Sequence, residues 1–140
     1  MSQAFSIQEL KIGQSASTSK TVTEADVILY AGISTDFNPA HLDEEYAKTT
    51  QFGGRIAHGM LSAGFISAVL GTQLPGPGTI YLGQTLKFKA PVRIGDTVTA
   101  TVTVKELIVE KNRVILDTVC TVGGKVVIEG EATMMPPKKA

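Results

Sequence analysis

The chain has 140 residues, 43% of them hydrophobic and 19% charged, so one globular domain spanning 1–140 is expected and extended disorder is excluded. Thirteen basic residues balance thirteen acidic ones, leaving no net field to favour nucleic acid or an anionic membrane. A single cysteine, Cys120, excludes an intrachain disulfide framework and a multi-cysteine metal knuckle, which fits a cytoplasmic protein.

At the amino terminus, Glu9 and Lys11 interrupt the stretch where a secretory signal needs its apolar block, so none is expected. Ser15 to Thr21 reads as a polar strand or loop. Thr23 can cap a helix opening Glu24-Ala25-Asp26, with Val27, Ile28 and Tyr30 continuing it and Gly32 ending it. Asp36-Phe37-Asn38-Pro39-Ala40-His41 follows as a bend, because Pro39 cannot lie inside a helix and drives Asn38 towards extended backbone. Asp43-Glu44-Glu45 opens another acidic helix start, with Tyr46 and Ala47 expected to face inwards.

Residues 56–86 carry no Asp, Glu, Lys or Arg. Within them, Ala57 to Leu70 reads as a helix apolar on nearly every side and therefore buried all round. A membrane span needs about 20 mostly apolar residues. Gly59, Ser62, Gly64, Ser67 and Gly71, followed by Pro75 and Pro77, argue for a buried helix of a soluble fold instead.

Beyond Gly78 the period switches to two. Ile80, Leu82, Leu86 and Phe88 form one run; Val98, Ala100, Val102 and Val104 a second; Val114, Leu116, Thr118, Cys120 and Val122 a third. Gly123-Gly124 then turns the chain into Val126, Ile128, Ala132 and Met134. The class is therefore α+β: an antiparallel sheet with one buried face, wrapped around the uncharged helix in a hot-dog arrangement.

Several chemistries are absent. Gly71 to Gly76 has the glycine spacing of a phosphate loop, but Pro77 and Gly78 follow where Lys and Ser or Thr are required. No G-x-S-x-G elbow occurs. Cys120 falls in register with apolar neighbours and reads as a core thiol.

Two clusters carry proton or oxyanion chemistry. In the Pro39 bend, Asp36 and His41 can orient one water and move its proton, although Asp-x-x-Pro bends also serve to hold backbone amides. Asp43 as a third ligand would give a metal site, a weaker reading because acids ahead of a helix normally cap it. At Ala57-His58-Gly59-Met60 the amides of a helix start point outwards, and Gly59 leaves room for a ligand oxygen at its N–H. Tight packing alone also explains Gly59, and His58 reads as a packed or capping residue.

Taken together, Asp36-Phe37-Asn38-Pro39-Ala40-His41-Leu42-Asp43, Ile56-Ala57-His58-Gly59-Met60-Leu61, Tyr81-Leu82-Gly83-Gln84, Leu86 to Val92 and Gly95-Asp96 resemble the hydratase-2 signature of MaoC-like (R)-specific enoyl-CoA hydratases. The blocks fall in the family's order across residues 22–105, and the short chain resembles the bacterial forms that supply (R)-3-hydroxyacyl-CoA for polyhydroxyalkanoate synthesis. The resemblance implies Asp36 and His41 as the catalytic pair and Gly59 as the oxyanion donor. It places Asn38, Ser67 and Phe88 at substrate-binding positions. It implies an acyl-CoA thioester substrate of C4–C6 chain length, no metal, no cofactor beyond the substrate's own coenzyme A, and a homodimer. A hot-dog acyl-CoA thioesterase and a non-catalytic acyl-thioester binding module share fold and ligand and stand as alternatives. Lys87, Lys89, Arg93 and Arg55 are candidates to meet the coenzyme A phosphates.

Overall fold

The computed structural model describes residues 3–139; Met1, Ser2 and Ala140, the extremes of the expected 1–140 domain, lie outside the described residues. In chain order the elements are β1 (Ser15–Thr21), α1 (Glu24–Ser34), α2 (Pro39–Leu42), α3 (Glu44–Ala47), α4 (Gly59–Thr72), β2 (Ile80–Gln84), β3 (Lys87–Phe88), β4 (Thr97–Ile108), a 3-10 turn (Val109–Lys111), β5 (Arg113–Val122) and β6 (Lys125–Met135). The strands form one six-stranded antiparallel sheet in the order β1-β4-β5-β6-β2, with β3 also paired to β6. Helix α4 lies against β4, β5 and β1, which is the hot-dog arrangement.

The central strands follow their alternation. Val98, Ala100, Val102 and Val104 of β4 and Val114, Leu116 and Cys120 of β5 are buried against Leu61, Ile66, Val69 and Leu70 of α4. Gly123 and Gly124 take φ of 56° and 80°, the backbone a tight hairpin needs and a side chain resists. In β6 the expected inward Val126 is exposed and Val127 is buried. A bulge between Cys120 and Thr121 pairs Cys120 with Ile128 but Thr121 with Val126, and the extra residue turns Val127 inwards. Cys120 is a core thiol, its Sγ 3.6 Å from the Ser62 carbonyl and its pKa pushed up to about 11 by burial.

The helical half departs from expectation at particular residues. Thr23 does cap α1, reciprocally: its Oγ1 accepts from Asp26 N–H, and the Asp26 carboxylate accepts from Thr23 N–H. The helix runs past Gly32 to Ser34 and ends on Thr35, which adopts φ of 65°. Pro39 opens a one-turn helix instead of a simple bend, because a first helical position has no intrahelical N–H bond to lose. Tyr46 is exposed while Ala47 is fully buried, since a single turn offers only one inward position.

Helix α4 is buried on one face only. Leu61, Ser62, Ala63, Ile66, Val69 and Leu70 are enclosed, whereas Gly64, Ser67 and Ala68 are exposed and Met60 is 52% exposed. Opposite that face, Ile80, Tyr81 and Leu82 of β2 are also exposed, so the expected buried side of this strand is uncovered. Residues of α4 and β2 line a cleft between them. The ribbon after β2 is held hard against β6: Thr85 N–H donates to the Glu131 carbonyl at 2.9 Å, and Glu131 N–H donates to Thr85 Oγ1 at 3.0 Å. A Cβ on Gly130 would sit 1.8 Å from the Thr85 carbonyl oxygen, so only glycine allows this approach.

Candidate active site

The turn Asp36 to His41 is built by its own polar side chains. Ser34 Oγ accepts from Asp36 N–H at 3.1 Å, and an Asp36 carboxylate oxygen accepts from Asn38 N–H at 3.2 Å. Asn38 Oδ1 accepts from Ala40 N–H at 3.0 Å and so caps α2. These local bonds fix the direction in which Asp36 leaves the chain.

One turn later, His41 is buried and its Nδ1–H donates to the Ile56 carbonyl at 2.7 Å. Ile56 in turn donates its N–H to the Ala40 carbonyl at 3.2 Å. With Nδ1 carrying the proton, the neutral ring keeps its lone pair on Nε2. Burial, with the neighbouring His58 adding to it, holds the His41 pKa below the usual imidazole value, against the opposing pull of the Ile56 bond and Asp36.

His58 enters from the other side, as the residue preceding α4. Its Nε2–H donates to the Asp36 main-chain carbonyl at 3.0 Å, and its ring stacks on His41 with centroids 3.9 Å apart. Both histidines of the chain therefore meet here. A carboxylate oxygen of Asp36 and one ring nitrogen from each histidine lie within 4.8 Å of one another. A single water about 2.8 Å from each of two such groups spans that separation, so the cluster can share one water. These three residues also form the set with the spacing to hold a metal ion, in place of the Asp43 reading; Asp43 instead caps α3 by accepting from Tyr46 N–H at 3.2 Å. Nδ1 of His41 and Nε2 of His58 are each engaged with a main-chain carbonyl, which leaves one nitrogen of each ring.

Gly59, the first residue of α4, opens the helix beside this cluster. Its N–H is among those a helix start leaves without an intrahelical partner, reinforced by the positive end of the helix dipole. A Cβ here would fall 2.6 Å from the Phe88 ring, which lies across the glycine. Asp36, His41, His58, Gly59 and Phe88 line one cavity of about 440 Å³, closed by Phe52, Ile56, Met60, Pro91 and Val92. Its walls are largely apolar, and Asp36, His41 and His58 cluster together on them.

Two expected binding residues lie elsewhere. Asn38 is engaged in capping α2 and does not line this cavity. Ser67 sits in the cleft of about 490 Å³ between α4 and β2, with Gly64, Leu82 and Gln84; Met60 borders both spaces. Of the four basic candidates, Arg55 and Arg93 are tied to the scaffold. Arg55 bonds Glu24 twice, at 2.9 and 3.0 Å, and the His41 carbonyl at 2.7 Å. Arg93 donates to the Phe52 carbonyl at 2.5 Å and the Gly54 carbonyl at 3.2 Å. Lys89 lines the cavity, with an exposed pairing to Glu129 at 3.4 Å. His58 is the residue that sequence reasoning undervalued. Its signal was present, since the second of only two histidines stands at the foot of the helix expected to supply the oxyanion donor.

Comparison with known proteins places the chain in a family. The chain is 68% identical over 132 residues to an (R)-specific enoyl-CoA hydratase of Rhodospirillum rubrum, covering 94% of this chain and 92% of the relative. It is 52% identical over 132 residues to a 3-hydroxybutyryl-CoA dehydratase of Methylorubrum extorquens, covering 94% and 84%. The solved (R)-hydratase of Aeromonas caviae involved in PHA biosynthesis superposes with a TM-score of 0.90 at 48% identity, covering 93% of this chain and 99% of that one. Residues 7–130 match the MaoC like domain, and the chain belongs to that family.

Proposed function

We infer that the chain catalyses the reversible syn hydration of trans-2-enoyl-CoA to (R)-3-hydroxyacyl-CoA. The observation that carries this reading is the grouping of Asp36, His41 and the Gly59 helix start around one apolar cavity. In an enoyl thioester the β-carbon is electrophilic because charge can move onto the carbonyl oxygen. A water shared by Asp36 and His41 attacks that carbon and gives up a proton to the pair. The Gly59 N–H and the α4 dipole stabilise the enolate oxygen, a donor of this kind contributing about 3 kcal/mol. The pair then returns a proton to the α-carbon from the same face.

Proton transfer and one oxyanion donor complete this reaction, so it proceeds without a metal and with coenzyme A present only as part of the substrate. The apolar wall formed by Phe52, Ile56, Phe88 and Val92 suits an acyl chain, and C4–C6 chains are the expected range. The open face of α4 and the uncovered β2 edge support a homodimer. Among the described residues no helix is long and apolar enough to cross a membrane, in keeping with a cytoplasmic enzyme.

Incubation of the purified chain with crotonyl-CoA tests the reading. Loss of the enoyl absorbance without release of free thiol is expected. Thiol release would point to the thioesterase, and binding without turnover to the non-catalytic module; either overturns the hydratase. Relatedness to the Rhodospirillum and Aeromonas hydratases favours hydration over thioester cleavage.

A further inference from the structure

His58 is a buried imidazole that the hydration chemistry leaves without a task. It is 2% exposed, less than His41, and is held from three directions. Tyr30 of α1 packs on it with ring centroids 4.7 Å apart, His41 of α2 stacks on its other side, and the Asp36 carbonyl accepts its Nε2–H. Its Nδ1 is buried without a hydrogen-bond partner. Burying an unpartnered imidazole nitrogen is unfavourable, and a leucine or phenylalanine would fill the same space without that penalty. A histidine at this place is therefore explained by what its other nitrogen and its ring do.

We propose that His58 is a positioning residue, whose Nε2–H holds the Asp36 main chain and whose ring backs His41, so that the acid–base pair meets the cavity in one geometry. The proposal rests on the reading of Asp36 and His41 as that pair. Asp36 belongs to the linker after α1 and His41 to the one-turn helix α2, both short and partly exposed segments. His58 belongs to the rigid start of α4, which also presents the Gly59 amide. One imidazole thus fixes the position of the proton-transfer groups relative to the oxyanion donor, a distance that must be held to within a fraction of an ångström.

The contact is also electrostatic. The titratable and charged groups around His58 are Tyr30, Asp36 and His41, with Lys89 on the cavity wall. With the rings 3.9 Å apart, His58 adds to burial in holding the His41 pKa down.

The test uses the full chain with crotonyl-CoA. His58→Phe keeps the ring and removes the donor; His58→Gln carries an amide nitrogen near the lost Nε2. The expected result is a fall in kcat of roughly 10- to 100-fold for His58→Phe with KM nearly unchanged, and recovery of most of it in His58→Gln. Wild-type kcat in His58→Phe, or equal losses in both variants, would overturn the proposal. Should neither variant fold, nitrogen NMR of the wild-type rings decides: protonation at His58 Nε2 and His41 Nδ1 is expected, and the opposite His58 tautomer refutes it. Full activity of Asp36→Asn would instead refute the assignment of the pair, independently of His58.

Discussion

Arg55 holds His41 from behind, its Nε–H donating to the His41 carbonyl at 2.7 Å while its other nitrogens bond Glu24. An arginine that sequence alone offers as a candidate for the coenzyme A phosphates is thus committed to supporting one member of the proposed acid–base pair. Because the Arg55 side chain is only 15% exposed, its loss leaves a main-chain carbonyl poorly satisfied. Arg55→Ala is expected to lower stability by about 1.5–3 kcal/mol and to lower kcat, with KM little changed. Reversing Lys87 and Lys89 together should raise KM for the CoA substrate, and added salt should shrink the difference. Steady-state kinetics at two ionic strengths checks both.

The acid–base pair has its own signature. Asp36→Asn keeps shape and removes a base; His41→Ala removes the imidazole. Each is expected to reduce kcat by about 10²–10⁴-fold, and the double variant should be scarcely worse, because groups sharing one water fail together. Circular dichroism should stay unchanged, since Asn38 and Pro39 still form the turn.

The pH dependence follows from burial. His41 acts when neutral, and desolvation depresses its pKa, so the acid limb of kcat/KM is expected below the 6.5 of an ordinary imidazole. The same shift acts on stability. Between the depressed folded pKa and the unfolded 6.5 the folded state binds fewer protons than the unfolded one, so this group's contribution is present above the unfolded value and is lost as pH falls through that window. Rate profiles and thermal melts between pH 5 and 8 measure the two effects.

Gly59 allows the oxyanion donor to be removed without breaking its helix. Proline is well tolerated at a first helical position, and His58 already has the extended backbone, φ −60° and ψ 133°, that a following proline requires. Because Phe88 lies over the glycine, the comparison belongs in a Phe88→Ala background. There Gly59→Ala, which keeps the N–H, should stay within a few-fold of its parent. Gly59→Pro should lose about 10²–10³ in kcat.

A stability test lies at Gly130. The 1.8 Å approach to the Thr85 oxygen leaves no room for a methyl group. Gly130→Ala must separate the β2–β3 ribbon from β6, at about 3 kcal/mol or more. A fall in Tm of roughly 10 °C is expected by calorimetry.

Where local chemistry decides, the sequence was readable. Thr23 and Asp26 cap α1, Gly123-Gly124 makes the hairpin, and β4 buries every second residue from Val98 to Val104, because each depends on near neighbours along the chain. Val127 was missed because a bulge shifts which residues face inwards, and no alternation in β6 announces it. The α4 face was misjudged because the absence of charge tells what a helix can bury, not how much a single chain covers. In the site, Asp36, His41, Gly59 and Phe88 were legible as a motif and do line one cavity. His58, Arg55 and Arg93 were not, since their partners lie 22, 14 and 31, and 39 and 41 residues away.

Ile56 is bonded from both its polar groups into α2, its N–H to the Ala40 carbonyl and its carbonyl to the His41 ring. The bond to the Ile56 carbonyl thus fixes the His41 tautomer, with Nδ1 carrying the proton. The Ile56 amide can exchange its hydrogen with solvent only when Ala40, and with it α2, swings away. Its protection therefore reports, with no substrate present, how often a local opening dismantles the site while the sheet beneath stays folded.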